Sequence, residues 1–112
     1  MHIPIRQQVL EQVLHIIELV RPLAASISRR DRDLASQIRR ALSSVALNVS
    51  EGFGATAGNA RLRFESARGS LYETQAGLRV AVAWGYVQPQ DVASALESLD
   101  LLGGRIFGLA RR

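Results

Sequence analysis

The chain has no cysteine and no lysine, and its 112 residues include only two histidines, three prolines and six aromatic side chains. Without cysteine there are no disulfides, no thiolate nucleophile and no sulfur-ligated metal. Without lysine there is no P-loop cation, so the glycines around Gly52, Gly54 and Gly58 cannot complete a phosphate-binding loop of that kind. His2 and His15 stand far apart and the carboxylates are scattered, so no metal and no cofactor are expected. No Gly-x-Ser-x-Gly turn marks a nucleophile. No unbroken apolar run nears the roughly 18 residues of a membrane span. The opening MHIPIRQQVLEQVL lacks a cationic leader followed by a continuous apolar stretch, so neither a membrane nor a secretory route is expected, and a cytoplasmic location is.

What remains is apolar and cationic. Hydrophobic residues make up 47% and charged residues 21%, too apolar for a disordered chain, and the length suits one domain spanning 1–112. All 14 basic residues are arginine, and the net charge is +4. The excess is local: residues 29–68 hold eight arginines against four acids, whereas the flanking segments balance. An acidic partner would therefore dock on the middle of the chain, unless these arginines form only a solvated face.

Apolar residues recur every three or four positions in four stretches, and no stretch alternates long enough for a strand, which predicts an all-α protein. The first helix runs from about Ile5 to Ile27, with an apolar arc near 200°, wider than one buried face needs. The second starts near Asp33 as N-cap and stops at Gly52 and Gly54; the loop GATAGN follows. The third spans about Ala60 to Trp84, with Gly85 free to take the left-handed C′ conformation, and the fourth opens at Pro89. Short connections make neighbours antiparallel, giving an up-down-up-down four-helix bundle.

Helix 2 also carries Gln37, Arg40, Ser44, Asn48 and Glu51 on one stripe, and helix 3 carries Ser66, Ser70, Glu73 and Gly77 at matching intervals. A hairpin turning near residues 57–59 sets Glu51 opposite Ser66, Asn48 opposite Ser70, and Ser44 opposite Glu73, one turn from Arg40. Small Gly69, Ser70 and Gly77 let the helices approach closely. Either Arg40, Glu51 and Glu73 form a ligand or catalytic site, or Arg40, Asn48, Glu51, Ser70 and Glu73 form a mutually hydrogen-bonded structural network. The second is expected, since buried polar groups need partners and can fix one register.

These residues carry a resemblance. LASQIRRALSSVALNVSEGFG (34–54), RFESARGSLYETQAGL (63–78) and AWGYV (83–87) contain Gln-Ile-Arg-Arg-Ala, Asn-x-x-Glu-Gly, Ala-x-Gly-Ser-x-x-Glu and a closing Gly-Tyr, in order over about half the chain. The chain resembles the 23S rRNA intervening-sequence proteins, with helices 1 and 4 fitting by length and periodicity alone. The resemblance implies a bundle that assembles as a homopentamer, occurs in bacteria, is sometimes encoded within rRNA-gene insertions, and has no established enzymatic activity. The chain also looks distantly like accessory proteins of diversity-generating retroelements, which implies a nucleic-acid and reverse-transcriptase partnership.

The leading expectation is a non-enzymatic homo-oligomeric module that binds RNA or other nucleic acid. Arg29, Arg30, Arg32, Arg61, Arg63 and Arg68 would carry the contact, because a planar guanidinium grips phosphate bidentately. They form two patches about 30 Å apart. Arg39 and Arg40 are set aside for structural pairing, and Phe53, beside the glycine loop, is the candidate for base stacking. The alternatives are a protein-interaction scaffold and an enzyme using the seam carboxylates.

Overall fold

The computed structural model describes residues 2–112, and those residues form four helices and no strand: α1 (Ile5–Ser28), α2 (Arg32–Gly54), α3 (Ala57–Ala83) and α4 (Pro89–Ala110). The helices that follow one another in sequence pack side by side, α2 and α3 most extensively, and α4 closes back on α1. Their directions alternate. Ser44 meets Ser70 and Glu51 meets Arg63 across α2 and α3; Gln75 meets Asp100 while Glu65 meets Arg111 across α3 and α4. Near the start of α1, Gln8 and Gln12 meet Arg105 near the end of α4.

Burial follows the periodicity that specifies each helix. In α1, Val9, Val13, Ile16, Val20, Ala24 and Ile27 are buried, and they join Ile38, Leu42, Val45, Val49, Leu71, Leu78, Leu99 and Ile106 in one contiguous core. The remaining wide arc of α1 is mostly absorbed by its two neighbours, since Leu10, Ile17, Leu19 and Leu23 pack half-buried against that core and Leu14 stays exposed. Pro22 lies inside α1 at an exposed position, where water can satisfy the carbonyl that its missing N–H leaves free.

Two boundaries differ from expectation. The N-cap of α2 is Asp31, whose Oδ1 accepts from the Leu34 N–H at 2.9 Å, while Asp33 sits in the first turn. The GATAGN segment is mostly helix: α3 begins at Ala57, leaving Ala55 and Thr56 as the connection. At the close of α3, Gly85 has φ 79°, and the N–H groups of Gly85 and Tyr86 donate to the carbonyls of Val82 and Ala81, which is a Schellman motif. Pro89 then opens α4, with the Asp91 carboxylate accepting from the Gln88 N–H at 2.9 Å.

Candidate nucleic-acid interface

Among the described residues, Arg63, Arg68 and Arg111 are the arginines, of fourteen, that sit within ion-pair distance of a carboxylate. The six expected contact residues separate accordingly. Arg29, Arg30 and Arg32 cluster at the α1–α2 turn and are exposed: Arg29 donates to Ser26 Oγ at 3.1 Å, Arg30 lies over the Tyr86 ring, and Arg32 has no ion pair. At the opposite end, Arg61 is exposed and unpaired, whereas Arg63 is 3.1 Å from Glu51 with both side chains more than half exposed.

Arg68 does not belong with them. Its guanidinium donates to Glu65 and to the Tyr72 hydroxyl and lies 4.7 Å from the centroid of Phe107, a ring that Arg111 also covers. The hydrogen bond to Tyr72, and after it those to Glu65, raise its pKa above the ordinary arginine value. These contacts commit the side chain to joining α3 and α4, and its Nε is buried out of reach of solvent. It has little left to offer a phosphate.

The expected polar network is shorter than its five members. Ser44 Oγ accepts from Asn48 Nδ2 at 3.0 Å and from Ser70 Oγ at 2.9 Å, linking α2 to α3. Glu51 pairs instead with Arg63, and Arg40 and Glu73 are exposed and take no part. Register explains the correction: with α3 starting early, contacting pairs have numbers adding to 114–116, so Ser44 faces Ser70 where Glu73 was expected. The close approach is made by Gly77 against Ile38, while Gly69 faces solvent. One buried polar side chain accompanies the seam, Thr74, whose hydroxyl donates to the Ser70 carbonyl at 2.9 Å.

Three features were not anticipated. Arg39 and Arg40 have no ion-pair partner; with the Arg63–Glu51 pair they edge a shallow depression between α2 and α3 that also contains Ser43, Leu47 and Asn48. Arg39 further faces Arg21 of α1 across a groove floored by Ile17, Val20, Ala24 and Leu42, a juxtaposition that the antiparallel α1–α2 register implies. The most exposed aromatic among the described residues is Trp84, stacked on Tyr86 with centroids 6.5 Å apart and planes at 20°, beside Arg30, whereas the exposed Tyr72 and Phe107 are covered in part by Arg68 and Arg111. Phe53 is instead half-buried, edge-on to Phe64 at 5.2 Å. The available cue was topology, which brings the ends of α1 and α3 to the same end of the bundle.

An all-α bundle with a short polar clasp between its second and third helices and open arginines on both ends is the class of protein defined by these features. The family described as 23S rRNA-intervening sequence protein matches residues 2–108, and the chain belongs to it. The match takes in α1 and nearly all of α4 as well as the motif-bearing half. No curated protein and no solved structure matches the chain.

Proposed function

We propose that the chain is a binding module, not an enzyme, that assembles with copies of itself as a ring of five and binds RNA or other nucleic acid through its arginines. The observation that supports this most is the census of cations: eleven of fourteen guanidinia lie outside any ion pair. Of these, Arg105 is held between α1 and α4 by Gln8 and Gln12, which leaves ten with neither a carboxylate nor such a clamp. Five copies would multiply a net charge of +4 and set identical patches around one ring, so weak contacts act together on a long phosphate backbone. Against catalysis by the seam carboxylates, Glu51 is held by Arg63, and Glu73 lies about 15 Å further along the hairpin from that pair. No helix among the described residues is long and apolar enough to cross a membrane, and a cytoplasmic site of action is part of the proposal.

The test is a binding titration with mixed-sequence RNA at two salt concentrations, comparing wild type with Arg29/Arg30/Arg32→Ser. Affinity should fall with salt, and the triple variant should show a shallower slope. Absence of binding at about 50 mM salt sinks the proposal. The protein-interaction scaffold then takes its place, a reading favoured by the exposed Leu47, Leu62 and Leu101.

A further inference from the structure

The geometry points to the Trp84–Tyr86 stack as a platform for an unpaired nucleobase, making single-stranded nucleic acid the preferred ligand. This rests on the nucleic-acid reading above and narrows it. Trp84 is the most exposed large apolar side chain, with 68% of its surface open, and no neighbouring helix covers it. It is also held in place. The Schellman turn at Gly85 fixes the chain on either side of that glycine, and Tyr86 supports the indole from one side. Tyr86 is itself anchored by donating to Asp31 Oδ2 at 3.2 Å and lies under the Arg30 guanidinium at 5.8 Å.

Such an arrangement matches what a flexible single strand needs. Every base has a π-face, so an ordered indole can accept one without reading its edge, while adjacent guanidinia hold the backbone. Here Arg29, Arg30 and Arg32 stand on the turn that touches Tyr86. The nearby carboxylates each accept a hydrogen bond: Asp31 from the Leu34 N–H and Tyr86, Asp91 from the Gln88 N–H, and the exposed Asp33 from Gln37 at 3.4 Å. A base paired within a duplex cannot offer its face to Trp84, so duplex binding would rest on the phosphate contacts alone.

Because Trp84 is the sole tryptophan, intrinsic fluorescence reports on this position without a label. The full-length chain is titrated with a 12-nucleotide single-stranded RNA, the same sequence as DNA, the RNA duplex, and inorganic polyphosphate. Both single strands should quench the fluorescence and bind more tightly than the duplex; quenching by one sugar type alone identifies that nucleic acid as the ligand. Polyphosphate should bind with little quenching. By anisotropy of a dye-labelled strand, which needs no tryptophan, Trp84→Ala should weaken single-strand binding about tenfold or more and leave duplex binding unchanged, and Trp84→Phe should recover most of the loss. Circular dichroism verifies that both variants are folded.

Binding of both forms with no quenching and no effect of Trp84→Ala overturns the platform while the electrostatic proposal stands. Failure of every nucleic acid to bind at about 50 mM salt removes both. A fall in assembly mass on Trp84→Ala would place the indole between copies of this chain and overturn the platform as well.

Discussion

At the scale of single residues, the middle of the seam between α2 and α3 is fixed by short side chains, with the exposed Glu51–Arg63 pair near its end. Ser44 Oγ receives two hydrogen bonds, from Asn48 and Ser70; Ser44→Ala strips the Ser70 hydroxyl and leaves Asn48 only the Ser44 carbonyl, and should cost roughly 1–2 kcal/mol in chemical denaturation. Glu73→Ala, at an exposed position, should stay within about 0.5 kcal/mol of wild type in the same assay. Glycines divide in the same way. A Cβ on Gly77 would sit 2.6 Å from Ile38 Cγ1 in the core, so Gly77→Ala should destabilise by about 1–3 kcal/mol despite its better helix propensity. A Cβ on Gly104 meets nothing within 4 Å, and Gly104→Ala should stabilise by about 0.5–1 kcal/mol. The sequence displayed these residue types at the right intervals but could not show which of them meet. Ser44 and Glu73 share a stripe pattern, and a shift of three residues decides between clasp and solvent.

At the scale of elements, each helix was legible because apolar spacing and punctuation agree: Gly85 and Pro89 end one helix and begin the next as their backbone chemistry dictates. The start of α3 was obscured because Ala57, Gly58 and Asn59 have loop-like composition, yet they lie in its first turn, where Asn59 donates to Thr56 Oγ1 at 3.2 Å. That single misplacement altered the register and with it the candidate site. The α1–α2 turn illustrates how one residue ties two elements together. Asp31 caps α2 through Oδ1 and receives the Tyr86 hydroxyl on Oδ2. Asp31→Ala should therefore lower stability by about 0.5–2 kcal/mol through the cap alone. Tyr86 adds a pH signature: burial, then its hydrogen bond to Asp31, raises its pKa above the ordinary value, opposed by Arg30. The stabilisation from a raised group is complete below the unfolded phenol's pKa of about 10 and fades as pH climbs through the higher folded value. The melting-temperature gap between wild type and Tyr86→Phe should accordingly be constant near neutral pH and close in strongly alkaline buffer. A gap that persists there would show that the phenol proton is not what Asp31 holds.

At the scale of the whole molecule, the surplus apolar surface lies elsewhere than the wide arc of α1 suggested. Most of that arc is taken up at the seams with α2 and α4, whereas Leu47, Leu62 and Leu101 each remain about two-thirds exposed. On α3 the exposed residues Leu62, Ser66, Gly69, Glu73, Ala76, Val80 and Ala83 recur at alternating intervals of four and three, the spacing of a helix-packing seam, yet no helix of this chain covers them. Their side chains are mostly small, which permits close approach of another helix, and Leu62 and Val80 supply apolar area near its two ends. A second copy of the chain is the partner that the proposed self-assembly requires, so the α3 face is expected to lie between subunits. Light scattering at micromolar concentration should then give a mass well above the 12.2 kDa of one chain, about 61 kDa for five copies. Leu62→Glu with Val80→Glu should drive that mass toward the monomer while helical circular dichroism persists, since neither side chain is part of the buried core. Salt dependence of RNA binding should weaken in parallel, because separated subunits each present only their own cations. A monomeric wild type would remove the ring altogether. A folded double variant with unchanged mass would move the interface to another face, with Leu47 on α2 and Leu101 on α4 as the next positions to test.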